Sequence, residues 1–306
     1  GRGERVVGLD NLASYYDPAL KEARLRRLQE RKGFSFHRRD ITEAATFAEI
    51  ARAHPDITRV VHLAAQAGVR HSIDHPFDYV QANLVGHARV LEYCRRLPRC
   101  DHLVYASSSS VYGGNAKLPF AAADRVDRPL SLYAATKRAD ELMSHAYSHL
   151  YGLPQTGLRF FTAYGPWGRP DMAMFKFTRA LYAGEPIALY NRGDMRRDFT
   201  HIDDVVAGTV AVLDRPPDAA AGTPAATYNI GNNRPEPLMR VVELLEASTG
   251  RTAELVLEPM QPGDVKETYA DIDPLRAAVG FEPRTPIERG IPDFVDWYRD
   301  YHGLGA

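Results

Sequence analysis

Short apolar runs alternate with longer amphipathic stretches along the first half of the chain. The runs at 5–9, 34–38, 58–64, 102–106 and 156–161 have strand length, and the stretches at 18–31, 42–53, 77–96 and 131–151 have helix length. Asp17-Pro18, and Thr42 with Glu43, read as helix starts. Strands that alternate with helices predict βαβ units, and right-handed crossovers then give a doubly wound parallel sheet, an α/β fold of Rossmann type.

The texture changes after Phe161. Tyr164-Gly-Pro-Trp-Gly-Arg-Pro-Asp171 is dense in turn formers and reads as a loop. Shorter elements follow: helices at 173–183, 203–213 and 237–248, a strand at 187–190, and a flexible connection over 216–222. The expected division is a doubly wound domain over 1–162, to which 198–215 returns, and a smaller α/β lobe over 163–197 and 216–306. Such a lobe would lie over the carboxyl edge of the sheet, where these folds bind ligands.

Composition narrows the function. Among 306 residues 44% are hydrophobic and 25% charged, ordinary values for a globular protein. The formal net charge of -1 gives no bulk attraction to nucleic acid or anionic lipid. No apolar stretch has the length of a membrane span or the pattern of a secretory signal. The two cysteines, Cys94 and Cys100, read as free thiols of a cytoplasmic protein.

The chemistry concentrates in one segment. Tyr133 and Lys137 lie four residues apart, hence on one face of the predicted helix, downstream of the run Ser107-Ser-Ser-Ser110. An ammonium beside a phenol favours the phenolate, and a serine hydroxyl can hold the reacting oxygen. These groups suit oxidation of a secondary alcohol by a nicotinamide cofactor. A dinucleotide fold normally opens with a strand and a glycine-rich turn. Gly1, Gly3 and Gly8 do not have that spacing. Val6-Val-Gly-Leu-Asp10 instead reads as the second strand of such a fold, ending in the acid that holds the adenosine ribose. The expectation is that roughly 20 further residues, carrying the first strand and the turn, lie upstream. A carboxylate at Asp10 would repel a 2′-phosphate and favour NAD over NADP.

The chain resembles the extended short-chain dehydrogenase/reductase family, and within it the UDP-glucuronate 4-epimerases. The resemblance rests on segments in order along the chain: Val7-Gly-Leu-Asp-Asn-Leu12, Asp40-Ile41, His62-Leu-Ala-Ala-Gln-Ala-Gly-Val-Arg70, Ala82-Asn83 and Ala106-Ser-Ser-Ser-Ser-Val-Tyr-Gly113. It continues through Tyr133-Ala-Ala-Thr-Lys137, Arg159 to Met172, Gly193-Asp-Met-Arg-Arg-Asp-Phe-Thr200 and Gln261-Pro-Gly-Asp-Val265. The absent glycine-rich turn is the departure.

The resemblance implies a role for each position. Tyr133, Lys137 and Ser108 form the catalytic set, with Lys137 also on the nicotinamide ribose. Asp10 and Asn11 hold the adenosine ribose, and Asp40 and Ile41 flank the adenine. Leu63, Ala64, Ala65 and Gln66 line the cofactor, Asn83 supports that loop, and Phe160 belongs to the cofactor side. Ser108, Ser109, Ser110 and Thr162 face the sugar. Arg197 binds the diphosphate, Gln261 and Asp264 contact the nucleotide end, and Arg70 and Arg169 are further substrate contacts. The implied reaction is reversible epimerisation at C4 of a UDP-sugar by a homodimer packed through the 77–96 and 131–151 helices. Ser109-Ser110 stand where dehydratases and decarboxylases of the family tend to carry carboxylates, which disfavours both. A UDP-glucose/galactose-type epimerase and a non-catalytic NAD-binding protein remain as alternatives. No metal is expected. His145 and His149 lack the glutamate of a zinc-protease helix, and His62 reads as a core histidine.

Overall fold

The computed structural model describes residues 2–261 and 265–305. The first part runs β1 (Val6–Asp10), α1 (Pro18–Gln29), β2 (Phe34–Arg38), α2 (Thr46–Ala53), β3 (Arg59–His62), α3 (His71–Asp74) and α4 (Pro76–Tyr79). It continues with α5 (Gly86–Arg96), β4 (His102–Ser108), α6 (Leu132–Tyr151) and β5 (Gln155–Phe160). All these strands pair in parallel, as strands joined by crossover helices do.

The second part holds β6 (Thr162–Tyr164), α7 (Ala173–Ala183), β7 (Ile187–Leu189), β8 (Arg196–His201), α8 (Ile202–Leu213) and β9 (Ala225–Ile230). It closes with β10 (Pro235–Pro237), α9 (Leu238–Thr249), β11 (Leu255–Leu257), α10 (Asp273–Val279) and α11 (Ile287–His302). The sheets are β3-β4-β5-β9, β1-β2, β10-β8-β6 and β11-β7.

Several boundaries differ from the sequence reading for local reasons. Thr42 does not start a helix: its N–H and hydroxyl both bond Asp40 Oδ1 (2.8 and 2.7 Å) in a turn, and α2 begins at Thr46. The predicted 77–96 helix is broken into α4, a wide π turn at Val80–Val85, and α5. The predicted strand 58–64 ends at His62, so 63–66 leave the sheet as a loop. Strand β9 pairs along β5 in the main sheet, although the sequence division assigned 216–306 to the smaller lobe. Its residues Ala-Ala-Thr-Tyr-Asn-Ile carry too weak an apolar signal to read as a buried strand. Helix α11 escapes the sequence reading because Pro286, Gly290 and Pro292 punctuate it.

Two cores hold the site from either side. Val104, Leu158, Ile230 and Val205 fill the space between the main sheet and α8. Phe199, Leu245, Ile291, Phe294 and Val295 form the core of the second lobe, where α11 lies on α9. Among the described residues no helix is long and apolar enough to cross a membrane.

Candidate active site

The site forms where the carboxyl ends of β4 and β5 meet the start of α6. Ser131 caps α6, its hydroxyl accepting the Ala134 N–H at 3.1 Å, which fixes the first helical turn and with it Tyr133. Tyr133 is half-buried, and its ring stands edge-on to Tyr79 with centroids 6.0 Å apart. The Tyr79 hydroxyl donates to the carbonyls of Ala67 (3.0 Å) and Gly68 (2.6 Å), pinning the loop after β3 beside Tyr133. One turn on, Lys137 is 3% exposed and its Nζ lies 2.9 Å from Asp140 Oδ2.

The serine run divides by role. Ser107 donates to Glu141 (2.6 Å) and belongs to the scaffold. The Ser108 hydroxyl accepts the Ser110 N–H (3.2 Å) and lies 3.1 Å from Ser110 Oγ, capping the short 3-10 turn Ser109–Tyr112 that packs on α6. Gly113 ends the turn at φ 54, and a side chain there would collide with the Arg128 carbonyl. Beyond the turn lies a cavity of about 170 Å³ that brings Ser109, Ser110, Ser131, Thr162 and Arg197 together.

Strand β8 carries Arg197 to this cavity. The strand is fixed by Asp198, which is buried and accepts N–H bonds from Asn232 (2.5 Å), Ala270 (3.0 Å) and Asn233 (3.1 Å). Arg197 Nη1 donates to the main-chain oxygens of Arg196 (2.9 Å) and Lys266 (3.0 Å), which aims the guanidinium along the cavity's rim.

On the cofactor side, Asp10 ends β1 exposed, with Oδ1 taking the Leu12 N–H at 2.6 Å. Asn11 donates to Asp40 Oδ2 (2.8 Å). Burial would raise the Asp40 carboxyl, but bonds from Thr42 and Asn11 outweigh it and hold the group below the usual carboxylate range. Ile41 is buried against Gly86, where a Cβ would meet its side chain at 2.5 Å, so the start of α5 needs a glycine. Asn83, 1% exposed, grips the Gln66 backbone, accepting its N–H (2.8 Å) and donating to its carbonyl (3.1 Å). The same amide donates to Thr136 Oγ1 (2.9 Å), which ties the loop to α6. Leu63 is exposed, Ala64 and Ala65 half-buried, and Phe160 closes β5 in register with Ser108. Among the described residues Gln66 Nε2 is buried without a hydrogen-bond partner. An orphaned donor on this loop, an exposed acid at the end of β1 and a rigid loop between them fit a bound dinucleotide.

The Arg70 guanidinium lies over the Tyr190 ring at 4.2 Å. Arg169 pairs with Asp171 (3.4 Å), which also accepts from Tyr15 (3.2 Å). Gln261 is half-buried after β11, and Asp264 lies outside the described residues. His62 is buried and stacks on His87, and burial pushes its imidazole down to about 3, so it is a neutral core residue. Sequence reasoning missed Ser131, Tyr79 and Asp140. An N-cap serine two residues before Tyr133 was a legible signal; the other two depend on tertiary contacts.

A parallel α/β sheet with a tyrosine/lysine pair and a serine turn at its carboxyl edge defines a nucleotide-dependent oxidoreductase type of site. Residues 1–231 match the family model described as NAD dependent epimerase/dehydratase family, and the chain belongs to that family. It is 46% identical over 310 residues to a probable UDP-glucuronate 4-epimerase of Rhizobium meliloti, covering 97% of this chain and 90% of the relative. It is 45% identical to UDP-glucuronate 4-epimerase 1 of Arabidopsis thaliana, covering 100% of this chain and 73% of the relative. The crystal structure of UDP-glucuronic acid 4-epimerase from Bacillus cereus, in complex with UDP-glucuronic acid and NAD, superposes with a TM-score of 0.88 at 30% identity, covering 97% of this chain and 91% of that one.

Proposed function

We propose that this protein is a UDP-glucuronate 4-epimerase, interconverting UDP-glucuronate and UDP-galacturonate through a transient 4-keto sugar. The observation that carries the reading is the cavity that gathers the hydroxyls of Ser109, Ser110 and Thr162 with the Arg197 guanidinium, beside the helix that bears Tyr133 and Lys137. Among the described residues no carboxylate lines it.

NAD, held by Asp10, Asn11, Asp40, Ile41 and the 63–66 loop with Asn83 beneath it, supplies reversible hydride acceptance at C4. Tyr133 removes the proton from O4 and later returns it, and Ser108 holds that oxygen. Lys137 supplies the positive charge that favours the phenolate. Arg197 grips the diphosphate, for which a guanidinium fork is suited, and leaves the keto sugar free to turn over. Gln261 and Asp264 are assigned to the nucleotide end, and Arg70 and Arg169 to further contacts with the substrate.

The 4-keto uronate is a β-keto acid and loses carbon dioxide when its carboxylate aligns with the ketone. Hydroxyl donors from Ser109, Ser110 and Thr162 hold the carboxylate out of that alignment. Thr162→Ala is therefore expected to raise the UDP-pentose fraction several-fold while UDP-galacturonate still forms; an unchanged product ratio in an NMR assay would count against this role.

The active form we infer is a cytoplasmic homodimer. The apolar side chains of Phe77, Leu142 and Leu150 stand exposed on α4 and α6, the expected packing helices, and the free thiols Cys94 and Cys100 suit a reducing compartment. The direct test is NMR of a reaction with UDP-glucuronate and NAD equimolar with enzyme. UDP-galacturonate is expected; conversion of UDP-glucose alone would reassign the sugar.

A further inference from the structure

Asp140 has a place in the site that neither the serine turn nor the cofactor loop explains. It is 1% exposed, one turn of α6 beyond Lys137, and binds that ammonium through Oδ2 at 2.9 Å. Among the described residues its other oxygen, Oδ1, is buried without a partner. The neighbouring carboxylate, Glu141, is already taken by Arg159 (2.8 and 2.9 Å), Arg138 (2.9 Å) and Ser107 (2.6 Å). Among the described residues Asp140 is thus the carboxylate in ion-pair range of Lys137.

The elements packed behind α6 add no competing charge. His62 of β3 and His87 of α5 stack with centroids 5.3 Å apart, and Tyr105 of β4 stands edge-on to His87 at 5.2 Å. Burial pushes both imidazoles down, His62 to about 3, so both are neutral, and burial raises the Tyr105 phenol, which is neutral too. The local charges are therefore those of Lys137, Asp140 and the Glu141 cluster.

We propose that Asp140 is a positioning and charge-compensating residue: its carboxylate anchors Lys137 and offsets the ammonium's field at Tyr133, and so sets the pH at which Tyr133 becomes a base. This rests on the assignment of Tyr133 and Lys137 given above. Burial makes the compensation depend on pH. Burial pushes the Asp140 carboxyl up to about 6, although Lys137 pulls it down. Above that pH the ionised carboxylate offsets Lys137. As pH falls through it, Asp140 takes up a proton, and the uncompensated ammonium then favours the Tyr133 phenolate more strongly.

Asp140→Asn keeps the shape and removes the charge. The acid limb of kcat/KM is expected to move about one pH unit lower, the size expected of one unit charge acting inside a protein, which is tenfold in rate at a pH on that limb. A limb that stays put while activity falls would mean a merely structural role, and a limb displaced upward would mean that Asp140 serves to keep Lys137 charged; either overturns the proposal. A substrate-free readout separates this from the substrate assignment. The tyrosinate absorbance lost in Tyr133→Phe should grow in at lower pH in Asp140→Asn, and the shift should vanish in the Lys137→Met background. If Asp140→Asn does not fold, carbon-13 NMR of aspartate-labelled wild type still decides. Asp140 and Asp198, both pushed up to about 6 by burial, should titrate there, and Lys137→Met should drive one of them upward. No movement would overturn the pairing.

Discussion

Tyr133→Phe is expected to lower epimerisation about 10³-fold while leaving the fold and the binding of NAD and UDP-sugar intact. General acid–base groups contribute roughly 10²–10⁴ to a rate, and this phenol is the group assigned to move the O4 proton in both directions. The substitution removes one oxygen from a half-buried ring and keeps the ring that packs against Tyr79, so the helix start capped by Ser131 should not change. Binding measured by calorimetry alongside turnover measured by NMR separates the chemical role from a binding one. A loss of less than about tenfold would place the base elsewhere, since it falls below the roughly 10²-fold that a general base typically contributes.

Glu141→Ala is expected to be the most damaging substitution for stability. Glu141 and Arg159 are both 3% exposed by side chain and joined by two bonds of 2.8 and 2.9 Å. Arg159 continues to the Tyr112 hydroxyl (3.0 Å), which donates to Asn229 Oδ1 (2.6 Å), so the pair links β5, α6, β9 and the serine turn. Burial raises the Glu141 carboxyl, yet the bonds from Arg159, Ser107 and Arg138 bring it below the ordinary range. A carboxyl held low in the folded state contributes stability at neutral pH and loses it as pH falls through the folded value. Removing it also strands a buried guanidinium, which costs about 3–5 kcal/mol. Denaturant unfolding reads this as a lower midpoint at unchanged slope. Glu141→Leu with Arg159→Met should recover most of the loss, because the stranded charge is gone. A single-variant loss below about 1 kcal/mol, the scale of a solvent-screened pair, would mean that solvent reaches Arg159.

Much of this was legible before the fold was known, and the reasons are local. The strand Phe34–Arg38 and the helix Leu132–Tyr151 follow from runs whose periodicity no breaker interrupts. Tyr133 and Lys137 lie within such a helix, and the serine run directly follows the strand read at 102–106, so bringing them to one sheet edge needed only the parallel-sheet topology. Asn83 grips the Gln66 backbone, a contact between residues 17 positions apart that the sequence pattern alone does not give. What stayed hidden depends on distant partners or on masked periodicity. Asp140 sits on the same helix as Lys137, but its burial is a tertiary fact. The breakers Pro286, Gly290 and Pro292 conceal the apolar spacing Ile287, Ile291, Phe294, Val295 and Tyr298 that packs α11 into the second core. The break at Val80–Val85 arises in a stretch whose sequence reads as continuous helix.

The central claim is that C4 is oxidised and reduced within one site, with Tyr133 carrying the proton. The most direct measurement uses UDP-glucuronate carrying deuterium at C4, with NAD equimolar with enzyme and NMR of the product. The account predicts UDP-galacturonate with the deuterium retained at C4 over many turnovers. Loss of the label to solvent, or epimerisation at another carbon with C4 untouched, would contradict it.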